Sequence, residues 1–435
     1  MSELFHGSFW LIAFFVIGVL SAFTTVLSLF FAIGRRPSHT SARAVPPVGS
    51  DEFLVGVSAT VNAPVVVGGT VELLNNGDTF FPAMFEAMAA ARDHIHFTAY
   101  IWEPGKVSDE MFRILTEKAR AGVDVRVLLD GLGGIRTPRK GVRELRAAGG
   151  RVERFRPARI GKLSRFYKRM HRRAIVIDGT VGFTGGAAVG DKWLGEACNA
   201  TEWRDSMVRV TGPLAGALQS GFTEPWAYVS GEILVGSRYY PTLSIEGTTA
   251  PGALRAVSLV SSPSSEEYPL RLFFILSFLA ARERLYITTP YFVPDQHTRE
   301  AVIARARAGV DVRLLLPNEL TDAKPVRLAT HSYFAELLLA GVRIFEYQPA
   351  RLHAKTAVVD GWWSVVGSAN LDIRSSELNQ ENVLGILDAD LAARLEETFL
   401  ADLDHSEEIR IEGWRRRGLG QRVLERAARI FQEQY

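Results

Sequence analysis

Cysteine is almost absent from this chain. The single one, Cys198, excludes an intrachain disulfide framework and a thiolate zinc cluster. No catalytic cysteine motif surrounds it, so it reads as a small buried apolar residue. An excess of charge is missing too. Lys+Arg 50 against Asp+Glu 48 leaves +2, no overall basic footprint for nucleic acid, so any anion must be held by local clusters. From Gly7 to Gly34 charge is absent altogether, in a run rich in Phe, Leu, Val and Ile. A helix of that length would reach ~42 Å at 1.5 Å per residue, against a hydrocarbon core of ~30 Å. No Lys or Arg precedes the run and it is long for a signal peptide, so residues 1–34 are expected to form an uncleaved membrane anchor. Arg35, Arg36 and Arg43 follow it. The positive-inside rule then predicts a single-pass protein of the cell (inner) membrane with its main body in the cytoplasm.

What is present is a globular composition, 47% hydrophobic and 23% charged over 435 residues, enough for two substantial cores. Residues 35–70 read as a juxtamembrane linker. The body beyond them repeats itself. Ala119-Arg120-Ala121-Gly122-Val123-Asp124-Val125-Arg126 recurs unchanged as Ala306-Arg307-Ala308-Gly309-Val310-Asp311-Val312-Arg313. In both copies a helical pattern precedes it and an apolar run follows, then a second helix ending in Ala-Gly, a strand, and the tripeptide Pro-Ala-Arg (Pro157 and Pro349). Strands alternating with helices in this way predict two similar α/β domains with mostly parallel sheets flanked by helices, over 71–250 and 251–400. A helical tail, 401–435, follows. Its Arg415-Arg416-Arg417 beside Trp414 reads as a solvated helix face, with contact to anionic lipid headgroups as the alternative. His94 and His96 share a strand face, but no further ligand cluster adjoins them, and they read as structural.

Each repeat closes on a histidine-bearing strand. The first reads His171-Arg172-Arg173-Ala174-Ile175-Val176-Ile177-Asp178, then Gly185-Gly186-Ala187-Ala188. The second reads His353-Ala354-Lys355-Thr356-Ala357-Val358-Val359-Asp360, then Gly367-Ser368-Ala369-Asn370. Strand parity puts His171 with Arg173, and His353 with Lys355, on one face. An imidazole beside a fixed cation suits an anionic phosphoryl group: the cation holds the oxygens while the imidazole attacks or moves protons. Asp178 and Asp360 lie at odd spacing before a glycine, on the other face or in the turn, which assigns them a structural role.

The doubled HxKxxxxD and G-S-x-N text resembles the phospholipase D superfamily, and its bacterial cardiolipin synthase-like branch in particular. Tyr100-Ile101-Trp102, Leu129-Asp130-Gly131, Trp203-Arg204-Asp205, Thr289-Pro290-Tyr291-Phe292-Val293-Pro294-Asp295 and Ser376-Glu377-Leu378-Asn379-Gln380-Glu381-Asn382 carry the same likeness, from about Val71 to Leu400. The resemblance implies one site at the interface of the repeats and a two-step phosphoryl transfer needing neither metal nor other cofactor. It implies His171 as the nucleophile that becomes phosphohistidine and His353 as acid and base. Asp205 is expected to orient His171, and Glu381 to orient His353. Ser368, Asn370, Gly185 and Gly186 match phosphate-contacting positions. Arg173 stands where lysine is expected, and Ala188 where asparagine is expected. Arginine keeps the charge in a larger fork that cannot deprotonate, and alanine removes a hydrogen bond.

Three functions follow. One is a phosphatidyl transferase joining two phosphatidylglycerol molecules into cardiolipin through a phosphohistidine. The second is a hydrolase of phospholipid headgroups or, on the same fold, a nuclease. The third is a catalytically impaired phospholipid-binding homologue. A membrane anchor and near-neutral charge favour a phospholipid partner over nucleic acid. The bias to the synthase rests on the resemblance.

Overall fold

The repeated octapeptide is a helix end turning into a strand. In the computed structural model, which describes residues 15, 18, 19, 21, 22, 44–157, 168–241, 253–262 and 268–430, both copies adopt the same geometry. Gly122 and Gly309 each take φ 88°, a left-handed value that only glycine adopts without strain. The amide of Val123 then reaches the carbonyl of Lys118 at 3.0 Å, and that of Val310 the carbonyl of Arg305 at 3.1 Å.

Chain order begins α1 (Asp51–Val61), β1 (Val65–Val67), β2 (Val71–Asn75), α2 (Gly77–Ala90), β3 (His94–Ala99), α3 (Lys106–Arg120), β4 (Asp124–Asp130) and α4 (Arg139–Ala147). It continues β5 (Arg151–Phe155), β6 (Ile175–Ile177), β7 (Val181–Gly185), β8 (Trp203–Arg204), β9 (Ser206–Thr211) and α5 (Pro213–Ser230). The second half opens with β10 (Arg255–Ser261), α6 (Pro269–Leu279), β11 (Arg284–Thr288), β12 (Phe292–Val293), α7 (Gln296–Arg307), β13 (Asp311–Pro317) and α8 (Lys324–Leu339). Then come β14 (Arg343–Tyr347), β15 (Arg351–Leu352), β16 (Thr356–Val359), β17 (Trp363–Gly367), β18 (Leu371–Asp372) and α9 (Ile373–Glu377). The chain ends with β19 (Glu381–Leu387), α10 (Ala389–Asp404), β20 (Ser406–Ile409), α11 (Ile411–Arg415) and α12 (Leu419–Ile430).

Two large sheets result. One has the order β2-β9-β7-β6-β3-β4-β5, the other β1-β10-β19-β17-β16-β11-β13-β14-β20. Stripped of its edge strands β1 and β20, the second sheet repeats the order of the first. The expectation of mostly parallel sheets is corrected: the sheets are mixed. Within these two sheets, among the described residues, only β3–β4–β5 and β11–β13–β14 run parallel, joined by helical crossovers. The histidine-bearing chain instead returns at once through Asp178-Gly179 and Asp360-Gly361. These have φ 52° and 64°, and 51° and 68°. Paired positive φ values make a tight hairpin turn, which forces its strands antiparallel. Within the expected linker, 35–70, residues 51–67 are part of the fold instead: α1 packs in the second repeat's core and β1 extends the second sheet.

The middle strands are buried on both faces. Val125, Val127 and Leu129 of β4 face one core while Leu128 faces another; Val312, Leu314 and Leu316 of β13 divide from Leu315 in the same way. A separate core lies between the repeats. There Ala174, Val176, Val208 and Val210 meet Val358, Val366, Leu384 and Ile386, with Leu214 and Leu218 of α5 and Leu391 and Leu395 of α10. Burying such aliphatic side chains is worth about 1.5–3 kcal/mol each, which fixes the two sheets against one another.

The chain divides into residues 1–43 and 44–435. Residues 15, 18, 19, 21 and 22 of the first unit are helical. Most of the expected anchor lies outside the described residues, and no helix among the described residues is long and apolar enough to cross a membrane. Cys198, expected to be buried, is exposed. It sits on the surface loop before β8, where its backbone amide donates to Glu202 at 2.9 Å.

Candidate active site

Each histidine departs from its own sheet before the apolar strand begins. His171 precedes β6 by four residues and His353 precedes β16 by three. The free segments cross to the opposite repeat. β15 pairs parallel with β8, Leu352 beside Arg204, and Met170 bridges Gln380. The amide of His353 donates to the carbonyl of Arg204 (2.7 Å), and that of His171 to the carbonyl of Gln380 (2.9 Å).

The next residue after each of those carbonyls is the acidic one. His353 Nδ1 therefore lies 2.7 Å from Asp205 Oδ2. His171 Nδ1 lies 2.8 Å and 3.0 Å from the Glu381 oxygens. The expected pairing within each repeat is corrected to an exchange: the first repeat's carboxylate holds the second repeat's imidazole, and the reverse. Asp205 and Glu381 are fully buried, while His171 and His353 keep 8% and 7% exposure. Each ring is thus fixed at Nδ1 and left with Nε2 to act.

Arg173 and Lys355 take matching positions. Arg173 Nη1 donates to the carbonyl of His171 (2.6 Å), and Lys355 Nζ to the carbonyl of His353 (2.7 Å). Lys355 Nζ is also 3.2 Å and 3.3 Å from the two ring nitrogens of His353. Asn382 straddles Arg173: its Oδ1 accepts from the Arg173 amide (2.8 Å) and its Nδ2 donates to the Arg173 carbonyl (3.1 Å) and to Thr184 Oγ1 (2.8 Å).

The positions that follow hold the carboxylates. Ser368 Oγ donates to Glu381 Oε2 and accepts from the Asn382 amide. In the first repeat its counterpart is Gly186, where a Cβ would stand 2.2 Å from Asp205 Oδ1. A Cβ at Gly185 would stand 2.4 Å from the Ser206 carbonyl. Trp193 Nε1 donates to Asp205 Oδ2 at 2.9 Å, completing that carboxylate's set. Asn370 Oδ1 is buried and has no partner among the described residues. Ala188 sits in the first repeat's apolar core beside a cavity of about 20 Å³ lined also by Met84, Met111 and Arg173. Asp178 and Asp360 lie in the hairpin turns. Asp178 accepts from the amides of Arg92, Asp93 and His94, and Asp360 from those of Arg282, Glu283 and Arg284.

Burial and clustered cations set the electrostatics. Burial and Arg173 hold His171 well below its ordinary value. Burial and Lys355 push His353 down to about 4 in spite of Asp205. Burial alone would raise the Asp205 carboxyl, but His353 and Lys355 outweigh it and keep it low. Glu381 goes the other way: burial drives it up to about 8 against the pull of Arg173. Burial brings Lys355 down to about 7. A site with two buried cations and low-lying imidazoles is one that an anion would stabilise.

Several neighbours were not singled out from sequence. Tyr100 meets the His171 ring edge-on at 4.7 Å, and Trp193 and Trp203 flank His353 at 5.6 Å and 4.9 Å. Tyr291 donates its hydroxyl to Asp322 at 2.8 Å. Burial and Asp322 push that hydroxyl well above its usual range, and Asp322 also acts on Lys355. Tyr100, Trp203, Tyr291 and Asn382 all lie in the text that carried the resemblance, which was the available signal. Trp193 and Asp322 had none.

The family described as "Cardiolipin synthase, PLD-like domain" matches residues 84–203 and 275–403. The chain is similar to cardiolipin synthase A of Pseudomonas fluorescens (strain SBW25), at 36% identity over 91% of this chain and 78% of that protein. It is equally similar to cardiolipin synthase of Geobacillus kaustophilus (strain HTA426), at 36% identity over 91% and 79%. The fold is that of the phosphatidylserine synthase of Haemophilus influenzae Rd KW20, with TM-score 0.66 and 16% identity over 87% of this chain and 96% of that one. With both halves matched and most of each relative covered, the chain belongs to the cardiolipin synthase family of phospholipase D-like domain proteins.

Proposed function

We propose that this chain is a phosphatidyl transferase that makes cardiolipin from two phosphatidylglycerol molecules, releasing glycerol. The observation that carries the reading is the exchanged pair of carboxylate-anchored histidines with two buried cations beside them. Similarity to proteins named cardiolipin synthase supports the choice of lipid.

The phosphodiester of the donor lies between the two Nε2 atoms, its free oxygens facing Arg173 and Lys355, with Asn370 and Ser368 beside them. Its negative charge raises His353 from about 4, so that His353 arrives carrying a proton on Nε2. His171 Nε2 attacks phosphorus, the phosphorus–oxygen bond to glycerol breaks, and His353 gives its proton to the departing oxygen. Glu381 holds the attacking ring at Nδ1, which keeps its proton while Nε2 is phosphorylated and the ring becomes positive. In the second step neutral His353 takes the proton of an acceptor hydroxyl. The resulting oxygen displaces His171 from phosphorus, which leaves its ring neutral with the Nδ1 proton still in place and His353 protonated again. Membrane attachment through residues 1–34 would keep the site at its substrate.

The test is incubation of the full chain with phosphatidylglycerol in detergent, with separation of the products. Cardiolipin and glycerol in equal amounts are expected. Phosphatidic acid alone would make the chain a hydrolase, and bound lipid without product would make it a binding protein.

A further inference from the structure

The tail beyond β20 is more than a solvated helix. α12 lies against α8 and buries Glu425 and Ala428. Glu425 is turned inward to Arg417 (3.1 Å) and faces His331 (3.9 Å), and Trp414 packs edge-on against His331 at a ring distance of 5.1 Å. With one side fixed, helical spacing decides the other. Val423 and Arg426 stand opposite the buried pair, with Arg422 and Arg429 along one flank and Leu424 on the other. Val423 is 66% exposed and Leu424 60%, and Arg415, Arg416, Arg422, Arg426 and Arg429 are exposed as well. Between Ile411 and Ile430 only one other acid occurs, Glu412.

We infer that this outer face of α11 and α12 is a docking surface for an anionic lipid bilayer. Charge complementarity chooses the partner, because five exposed arginines against one exposed carboxylate need an anionic surface. The bare aliphatic side chains among them choose a bilayer over a nucleic acid, since Val423 and Leu424 gain by entering the headgroup boundary while arginine forks hold phosphates. A short helix braced by the second repeat would lie in the plane of the interface, its burial in lipid shallow. The inference is independent of the histidine chemistry and would hold for a chain that does not turn over.

The experiment uses the full chain with His353→Ala, to stop turnover, and Cys198→Ser. A single cysteine is placed by Val423→Cys and labelled with a fluorophore whose emission shifts to the blue in an apolar environment. Proteoliposomes contain phosphatidylcholine alone, or phosphatidylcholine with phosphatidylglycerol or with phosphatidylserine. A blue shift in both anionic mixtures and none in phosphatidylcholine is expected. Arg422→Gln and Arg426→Gln should each raise the anionic lipid needed by about fivefold. The same label introduced by Glu86→Cys on α2, whose side chain is exposed, should not respond. Three results would overturn the inference: equal emission in all three membranes, an equal shift from the Glu86→Cys label, or loss of the signal to soluble heparin as readily as to lipid. A response to phosphatidylglycerol but not to phosphatidylserine would also do so, pointing to a headgroup pocket.

Discussion

At the scale of single residues, the exchange of carboxylates makes separable predictions. His171→Ala and His353→Ala should each lose about 10²–10⁴-fold or more in turnover while the folded chain persists, as circular dichroism would report. Asp205→Asn should disturb the tautomer of His353 and leave that of His171 alone, which nitrogen NMR of the two rings resolves; a change at His171 first would restore the pairing expected from sequence. Glu381 adds a pH dependence. Its carboxyl holds a proton up to about 8 in the folded chain, against an ordinary 4.5. Between those values the folded state binds more protons than the unfolded one. That contribution to stability is complete below about 4.5 and is lost as pH rises through about 8. Lys355 acts in the opposite sense between about 7 and 10.5. Melting temperature should therefore drop less between about pH 5 and about pH 8 in Glu381→Gln than in the parent chain. An equal drop in both would place the titration elsewhere. The histidines and cations themselves were legible because each occurs twice in register. Their partners were not, because strand parity says which side a residue faces and never which repeat lies there.

At the scale of elements, the octapeptide and its glycines announced helix-to-strand turns that the structure contains in both copies. Sheet direction turns on Asp178-Gly179 and Asp360-Gly361: parity leaves each aspartate on the other face or in the turn, and the turn it occupies closes a hairpin. The aspartates serve those turns. Each gathers amides from the segment leading into β3 or β11, tying the hairpin to its neighbour. Asp178→Ala or Asp360→Ala should cost about 2 kcal/mol of stability in denaturant unfolding, because the amides lose a charged acceptor. Activity per folded molecule should fall little, since neither carboxylate reaches an imidazole. A selective loss of turnover with unchanged stability would count against a structural role.

At the scale of the whole molecule, the two repeats are bound by more than contact. Arg172 is fully buried and reaches from the histidine segment to Glu224 (2.6 Å) and Ser262 (2.7 Å), where α5 meets the end of β10. Sequence could not reveal that α1 and β1, which precede the first repeat, join the core and the sheet of the second, since short apolar stretches carry no address. Chains ending at residue 241, or beginning at 253, should have no transferase activity in the product assay, each keeping one imidazole and the wrong carboxylate for it. Activity in either piece alone would require a site that the present geometry does not contain.

The exchange also sets an order in time. During synthesis His171 is made 210 residues ahead of Glu381, the group that fixes its ring. A growing chain therefore carries His171 without its carboxyl partner through nearly half of its translation and should become competent only after β19 has left the ribosome and closed on the first repeat. Any chain stopped short of that strand should be chemically silent, whatever lipid it has already met.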